Sequence, residues 1–213
     1  MSKDKSYFIF GSGFLFGDCY FATKEKVTTG SPRGPPLVRA VRAKALAAFF
    51  IAKTGMRFAE ALAITPEDFD FRQQSVSINK TWDYKYNTGF MPTKNRSSIR
   101  KIQIDWQTVI RFSELVKDLP KDKPIFVHGK LYNSTFNSRL SKLCKKSSIP
   151  VISIHGLRHT HASLLLFAGV STASVARRLG HSSINTTQKT YLHIIQELEN
   201  KDVDLVMRTL SGL

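Results

Sequence analysis

The chain has 213 residues, suited to one large domain or a domain with a small appendage, and 42% of them are hydrophobic, including fifteen phenylalanines, enough for a real core and against global disorder. Thirty-two Lys and Arg against sixteen Asp and Glu leave a net charge of +16, for which the usual partner is nucleic acid and the plain alternative a generic basic surface. Two distant cysteines, Cys19 and Cys144, exclude a disulfide framework or a Cys-rich zinc site, and fit a reducing cytoplasm.

Residues 1–38 read as an irregular segment or linker. Ala22–Lys26 can open a short helix, and the run from Thr28 to Pro36 is a loop by its Gly, Ser and Pro content. The aromatic stretch Tyr7–Phe21 is broken by glycines and Asp18, so it reads neither as a signal peptide nor as a membrane span.

From Leu37 to Thr54 the apolar residues Val41, Ala45, Ala48, Phe49 and Ala52 recur at helical spacing. Thr54-Gly55-Met56-Arg57 breaks this helix, and Phe58–Leu62 resumes it. Thr65-Pro66 starts another. Ser75–Asn79 alternates as a strand does, and Gly89–Lys94 with Ile99–Ile104 reads as a β-hairpin around the turn Asn95–Ser98. Helices follow over Trp106–Leu119 and Ser134–Lys146, the latter carrying Arg139, Lys142, Lys145 and Lys146 as candidate DNA contacts.

Gly156–Ala168 reads as a helix stopped by Gly169, with His155 and Arg158 at its first turn, where the helix N-terminus favours a phosphate. Thr172–Leu179 is a short helix ending at Gly180-His181. A third has Asn185 or Thr186 as cap and Tyr191 near its middle, and Glu197–Leu210 is amphipathic, with Val203, Val206, Met207 and Leu210 as its apolar edge. The sum is a mainly α domain with one small antiparallel sheet.

Three histidines, His155, His159 and His161, lie close in sequence but have no neighbouring carboxylate or thiolate, so no metal site is expected. His159 and His161 read as histidines that hydrogen-bond locally. A single tyrosine is ordinarily half-buried core, and Arg57 close to Glu60 is ordinarily a salt bridge. Their company argues for more. Tyr191 is a competent nucleophile when something stabilises the attacked group. Arg57, Arg158, His155 and His181 offer the bidentate and hydrogen-bonding contacts a pentacoordinate phosphate needs.

The segments T-G-M-R-F-A-E around Arg57, H-G-L-R-H-T-H-A-S around His155 and Arg158, and L-G-H-S-S-I-N-T-T-Q-K-T-Y around His181 and Tyr191 together resemble the tyrosine recombinases of the phage integrase family. The resemblance covers Leu37 to the C-terminus and implies the catalytic domain of DNA breaking-rejoining enzymes, residues 39–213. It implies that Tyr191 attacks a backbone phosphate to give a 3′-phosphotyrosine, with Arg57, Arg158, His155 and His181 on the phosphate and Glu60 as a brace. A hairpin lysine would protonate the leaving oxygen. The position expected for it holds Arg96, a poor proton donor, and Lys94 stands two residues earlier, so Lys94 is the candidate and Arg96 the alternative. No cofactor or metal is implied, because the phosphotyrosine conserves the bond energy.

Double-stranded attachment sites are the implied partner, with self-assembly into a tetrameric synapse, in the integration or excision of a phage or mobile element. Residues 1–38 are too few for the core-binding and arm-binding domains that usually precede this domain, which are therefore expected to be absent. A type IB topoisomerase-like strand transferase and a non-catalytic DNA-binding remnant are the competing readings.

Overall fold

In the computed structural model the described residues are 36–129 and 131–211, so the expectations for residues 1–35 lie outside them. The first helix, α1 (Pro36–Thr54), ends at Gly55, whose φ of +69° suits glycine, and α2 (Phe58–Leu62) follows with Arg57 at its cap. Pro66–Asp68 is a single 3-10 turn rather than a helix. The Asp68 carboxylate accepts from the backbone N–H and hydroxyl of Thr65 and is paired with Lys80 Nζ at 2.6 Å, which fastens the turn to the next strands.

Five short strands follow: β1 (Phe69–Asp70), β2 (Ser75–Ile78), β3 (Lys80–Asp83), β4 (Gly89–Pro92) and β5 (Arg100–Gln103). They make two antiparallel sheets instead of one, β1-β2-β5 and β3-β4. The hairpin expected between Gly89–Lys94 and Ile99–Ile104 is not formed. β5 instead pairs with β2, matching Val76 to Ile102, while β4 pairs with β3, matching Trp82 to Phe90. Burial decides the partners. Val76, Ile78 and Ile102 are buried and share a face, whereas β4 is mostly exposed and ends at Pro92, which has no N–H to continue a ladder. Lys94 is thus beyond the strand end.

Helices α3 (Trp106–Val116, capped by Asp105) and α4 (Asn133–Lys146) follow, and both put buried residues into the main core. The main core gathers Phe50, Phe69, Phe112 and Phe126, with Phe50 and Phe112 centroids 4.7 Å apart. Next come α5 (Ile154–Phe167), α6 (Thr172–Leu179), α7 (Ile184–Thr190) and α8 (Leu192–Ser211). Ser153 caps α5 by accepting from Gly156 N–H, and the Asn137 side chain of α4 accepts from Ile154 N–H, which fixes where α5 begins.

The end of the chain departs from expectation by a few residues. Ser183, not Asn185 or Thr186, caps α7, and Tyr191 is its C-terminal cap rather than a mid-helix residue. The reason is packing: the Tyr191 ring joins a second cluster with Ala162, Leu166, Val175, Leu179 and Ile194, and the chain turns there to let it in. α8 then starts at Leu192, five residues earlier than its amphipathic pattern begins. Its edge residues Val203, Val206, Met207 and Leu210 are more than half exposed. Among the described residues no helix is long and apolar enough to cross a membrane.

Candidate active site

The site forms where α2, α5 and the α6–α7 connection meet. Arg158, three residues after His155 on α5, is 4% exposed. Its guanidinium donates to the Gly55 carbonyl at 2.6 Å and to the Leu179 carbonyl at 2.8 Å. Residues that end α1 and α6 thereby hold it in one orientation. Burial first, and the nearby Arg57 charge second, bring its pKa down to about 10, so it stays cationic at neutral pH. Gly55 must be small here. A Cβ on it would come within 2.6 Å of the His161 ring.

Arg57 is half-exposed and braced on two sides. Nη1 donates to Glu60 Oε1 at 2.7 Å and to Ser98 Oγ at 3.2 Å, and Nη2 donates to the Gly180 carbonyl at 3.0 Å. The two arginines are therefore tied to adjacent carbonyls, Leu179 and Gly180, at the end of α6. Glu60, 1% exposed, also accepts both Nη groups of Arg100, at 3.2 and 2.9 Å. Burial alone would raise its pKa. The Arg100 hydrogen bonds and charge, and then Arg57, outweigh that and hold the carboxyl below its ordinary 4.5.

Arg100 itself donates to the carbonyls of Ser98 and Arg178, so β5, the Ser98 turn and α6 are locked to Glu60. Gly180, at φ +70°, makes room for this. A Cβ there would approach Arg100 Nη1 to 2.7 Å.

His181, next after Gly180, bonds through Nδ1 to the buried Thr187 hydroxyl at 2.7 Å, which leaves Nε2 without a protein partner among the described residues. His155 is exposed at the first turn of α5, its ring 4.7 Å from that of His159. Burial, then Arg158 and Arg57, depress the pKa of both His155 and His181, the latter to about 4. Both imidazoles are neutral at pH 7. The positive potential that adds to burial here is the one that would attract a phosphate, and a bound anion would offset that part of the shift.

Tyr191 is 3% exposed, and its hydroxyl lies 3.0 Å from His159 Nδ1. Burial raises the phenol pKa to about 12, against a small opposing pull from Arg158. His161, by contrast, belongs to the scaffold. Its Nδ1 meets the Ala52 carbonyl at 2.9 Å and its Nε2 accepts from Arg178 Nε at 2.9 Å.

Arg57, Glu60, His155, Arg158, His181 and Tyr191 are thus brought together. Lys94 is exposed in the bend after β4, and Arg96 is exposed at the start of the 3-10 turn Arg96–Ser98, which abuts Arg57 only through Ser98. Arg139, Lys142, Lys145 and Lys146 are exposed along α4. Among the described residues no group of three His, Cys, Asp or Glu side chains is placed to hold a metal.

Sequence reasoning missed Arg100, Ser98, Thr187 and the partner role of His159. Arg100 had a readable signal. It alternates with Ile102 and Ile104, so a charge falls on the buried face of a strand and needs a buried counter-charge.

The sequence matches the phage integrase family over residues 38–197. It is 30% identical over 168 residues to the integrase of Staphylococcus phage L54a, covering 70% of this chain and 48% of that protein. It is 31% identical over 169 residues to tyrosine recombinase XerC of Rickettsia bellii (strain RML369-C), covering 75% of this chain and 50% of that one. The chain thus spans about half the length of the curated relatives it matches. Among solved structures, its fold is similar to the Tn1549 transposon integrase in complex with transposon right end DNA, with a TM-score of 0.65 and 20% identity, covering 84% of this chain and 59% of that one. Matched over three-quarters of its length by one family, and sharing the mainly helical fold of an integrase, the chain belongs to the phage integrase family.

Proposed function

We propose that this chain is the catalytic part, residues 39–213, of a site-specific tyrosine recombinase that cuts and rejoins DNA through a 3′-phosphotyrosine. The observation that carries the reading is the convergence of Arg57 and Arg158 on adjacent carbonyls at the end of α6, with the Tyr191 phenol held from the same helix that carries Arg158. The relatives named integrase and tyrosine recombinase support it.

In the mechanism, the two guanidiniums neutralise the non-bridging oxygens of the scissile phosphate, and the neutral His155 and His181 hydrogen-bond to it. The Tyr191 oxygen attacks phosphorus in line, and the 5′-oxygen leaves with a proton from Lys94. Glu60 holds Arg57 in register. Attack by a 5′-hydroxyl from a partner duplex reverses the step, so the bond energy is conserved without a cofactor. DNA attachment sites of a phage or mobile element are the substrate, in the cytoplasm. The exposed apolar edge of α8 favours assembly of several copies on DNA, a tetrameric synapse, over a topoisomerase acting alone. Arg139, Lys142, Lys145 and Lys146 add phosphate contacts that weaken with salt.

The test is covalent capture. Incubation with nicked duplexes of randomised core sequence is expected to yield a strand that migrates with the protein on a denaturing gel and maps by mass spectrometry to the peptide containing Tyr191. Retention of DNA without such a species would leave only a binding protein. On captured sequences, Lys94→Ala is expected to slow cleavage by roughly 10²-fold or more, and a 5′-bridging sulfur, which needs no proton to leave, should restore it. Arg96→Ala is expected to weaken binding only. The opposite pattern would assign the hairpin role to Arg96.

A further inference from the structure

Resting on that reading, we propose that His159 is a catalytic residue: its Nδ1 takes the proton from the Tyr191 hydroxyl as the phenol oxygen attacks phosphorus. The geometry singles it out. Nδ1 is 3.0 Å from the hydroxyl, and no other side chain among the described residues is recorded in hydrogen-bond contact with that oxygen. His155 and His181 are not recorded on that oxygen: His181 Nδ1 is engaged by Thr187, and His155 lies against the ring of His159. His159 is also held to its task. Its ring is edge-on to His155 at 4.7 Å and lies 5.8 Å from the Tyr191 ring, tilted by 55°.

The charges around it fit a base. His155 and Arg158 face it from its own helix, Tyr191 from the α7–α8 junction, and His181 from the α6–α7 connection. No carboxylate among the described residues is one of the groups that shift it. Burial, then His155, then Arg158 lower its pKa, so it is neutral and has a lone pair to offer at pH 7. With its ring proton on Nε2, that lone pair is on Nδ1, facing the phenol.

A phenol held near pKa 12 does not lose its proton to such a ring in the resting protein. Transfer accompanies P–O bond formation, when the aryl oxygen stops being basic and the phosphorane between Arg57 and Arg158 adds negative charge beside the imidazolium. The balance closes: the O–H bond of Tyr191 breaks to Nδ1, the oxygen pair forms the P–O bond, and the P–O5′ bond breaks with its pair going to O5′. On rejoining, the imidazolium returns its proton to the tyrosine oxygen.

The experiment is single-turnover cleavage of a captured nicked duplex by the whole chain. His159→Ala and His159→Asn are compared with the unsubstituted protein, each on all-oxygen DNA and on DNA with a 5′-bridging sulfur. Asn keeps an acceptor close to the Nδ1 position but cannot take a proton, and so separates base from tether. The expected result is a loss of roughly 10²-fold or more in both variants. DNA retention should be unchanged, and the sulfur substrate should give no recovery.

Three results would overturn the assignment. One is wild-type or faster cleavage by His159→Ala, which would make the contact a resting place for the phenol. Another is full rescue by His159→Asn, which would make it a tether, and the third is recovery with sulfur, which would move His159 to the leaving-group side. If the unsubstituted protein forms no Tyr191-linked strand at all, the recombinase reading fails first and takes this assignment with it. A normal adduct in the unsubstituted protein and in His159→Ala sinks this assignment alone.

Discussion

Tyr191→Phe is expected to lower formation of the covalent protein–DNA species by roughly 10⁴-fold or more, since losing the nucleophile itself removes the covalent route. The same substitution leaves the ring in its cluster with Leu166, Val175 and Leu179 and deletes one hydrogen bond, to His159. Its cost to stability is therefore about 1 kcal/mol. Binding to the captured duplex, measured by gel retention at fixed salt, should stay within a few-fold of the parent protein. The combination distinguishes a lost nucleophile from a damaged fold. An undiminished adduct would remove Tyr191 from the mechanism, while a collapsed melting transition would show that the hydroxyl is mainly structural.

Glu60→Ala is expected to cost more stability than Tyr191→Phe and to lower activity as well. The carboxylate is buried and sits between Arg57 and Arg100. Removing it leaves the Arg100 guanidinium, only 8% exposed, without its counter-charge, at a cost of about 3 kcal/mol or more. Arg57 is 38% exposed, and its share of the loss is reduced by solvent screening. For a chain of this size that corresponds to a fall in melting temperature of roughly 6–12 °C. Glu60→Gln keeps the shape but only one acceptor oxygen, with its NH2 facing the N–H donors of Arg57 and Arg100, so it should recover a small part of the stability and little of the cleavage rate, because Arg57 loses the anion that orients it. Thermal melts beside single-turnover rates would check both. Equal damage from Gln and Ala would point to packing rather than charge.

Acid should weaken the native state in two stages, because the two buried groups titrate in different windows. His161 has a native pKa of about 4 against 6.5 in the unfolded chain, lowered first by burial and then by Arg178. The unfolded state therefore binds more protons in that interval. The His161 contribution is complete above pH 6.5 and is lost progressively as pH falls toward 4. Glu60 has a native pKa below 4.5, so its contribution is present above 4.5 and is lost only as pH falls through that lower native value. Denaturant melts at stepped pH should show the decline starting near pH 6.5, and His161→Gln should flatten part of the upper stage, which His181, also held at about 4, shares. An unchanged midpoint down to pH 5 would rule out a neutral, buried His161.

Much of the helical layout could be read in the chain because its signals are local. Gly169 and Gly180, each after an apolar run, stop their helices through the local backbone wherever the rest of the chain goes, whereas Thr65-Pro66 opens only a 3-10 turn. The strand pairing could not be read that way. Four of the five strand segments are within 24 residues of one another, and turn chemistry alone favours joining Gly89–Lys94 to Ile99–Ile104. What selects β2 for β5 is the burial of Val76, Ile78 and Ile102 against α1 and α3, a property of the assembled layers.

The candidate site divides in the same manner. Residue types and spacing nominated Arg57, His155, Arg158, His181 and Tyr191, since an anion-binding set needs charge and a nucleophile that composition can reveal. Only the folded chain could determine that Arg158 is oriented by the carbonyls of Gly55 and Leu179, and that Glu60 is shared with Arg100. Only it could place the Tyr191 hydroxyl on His159. Each of these contacts joins residues 21 to 103 positions apart. Sequence states which groups are present; which of them face each other across such distances is decided when burial of the two apolar clusters brings the helix ends together.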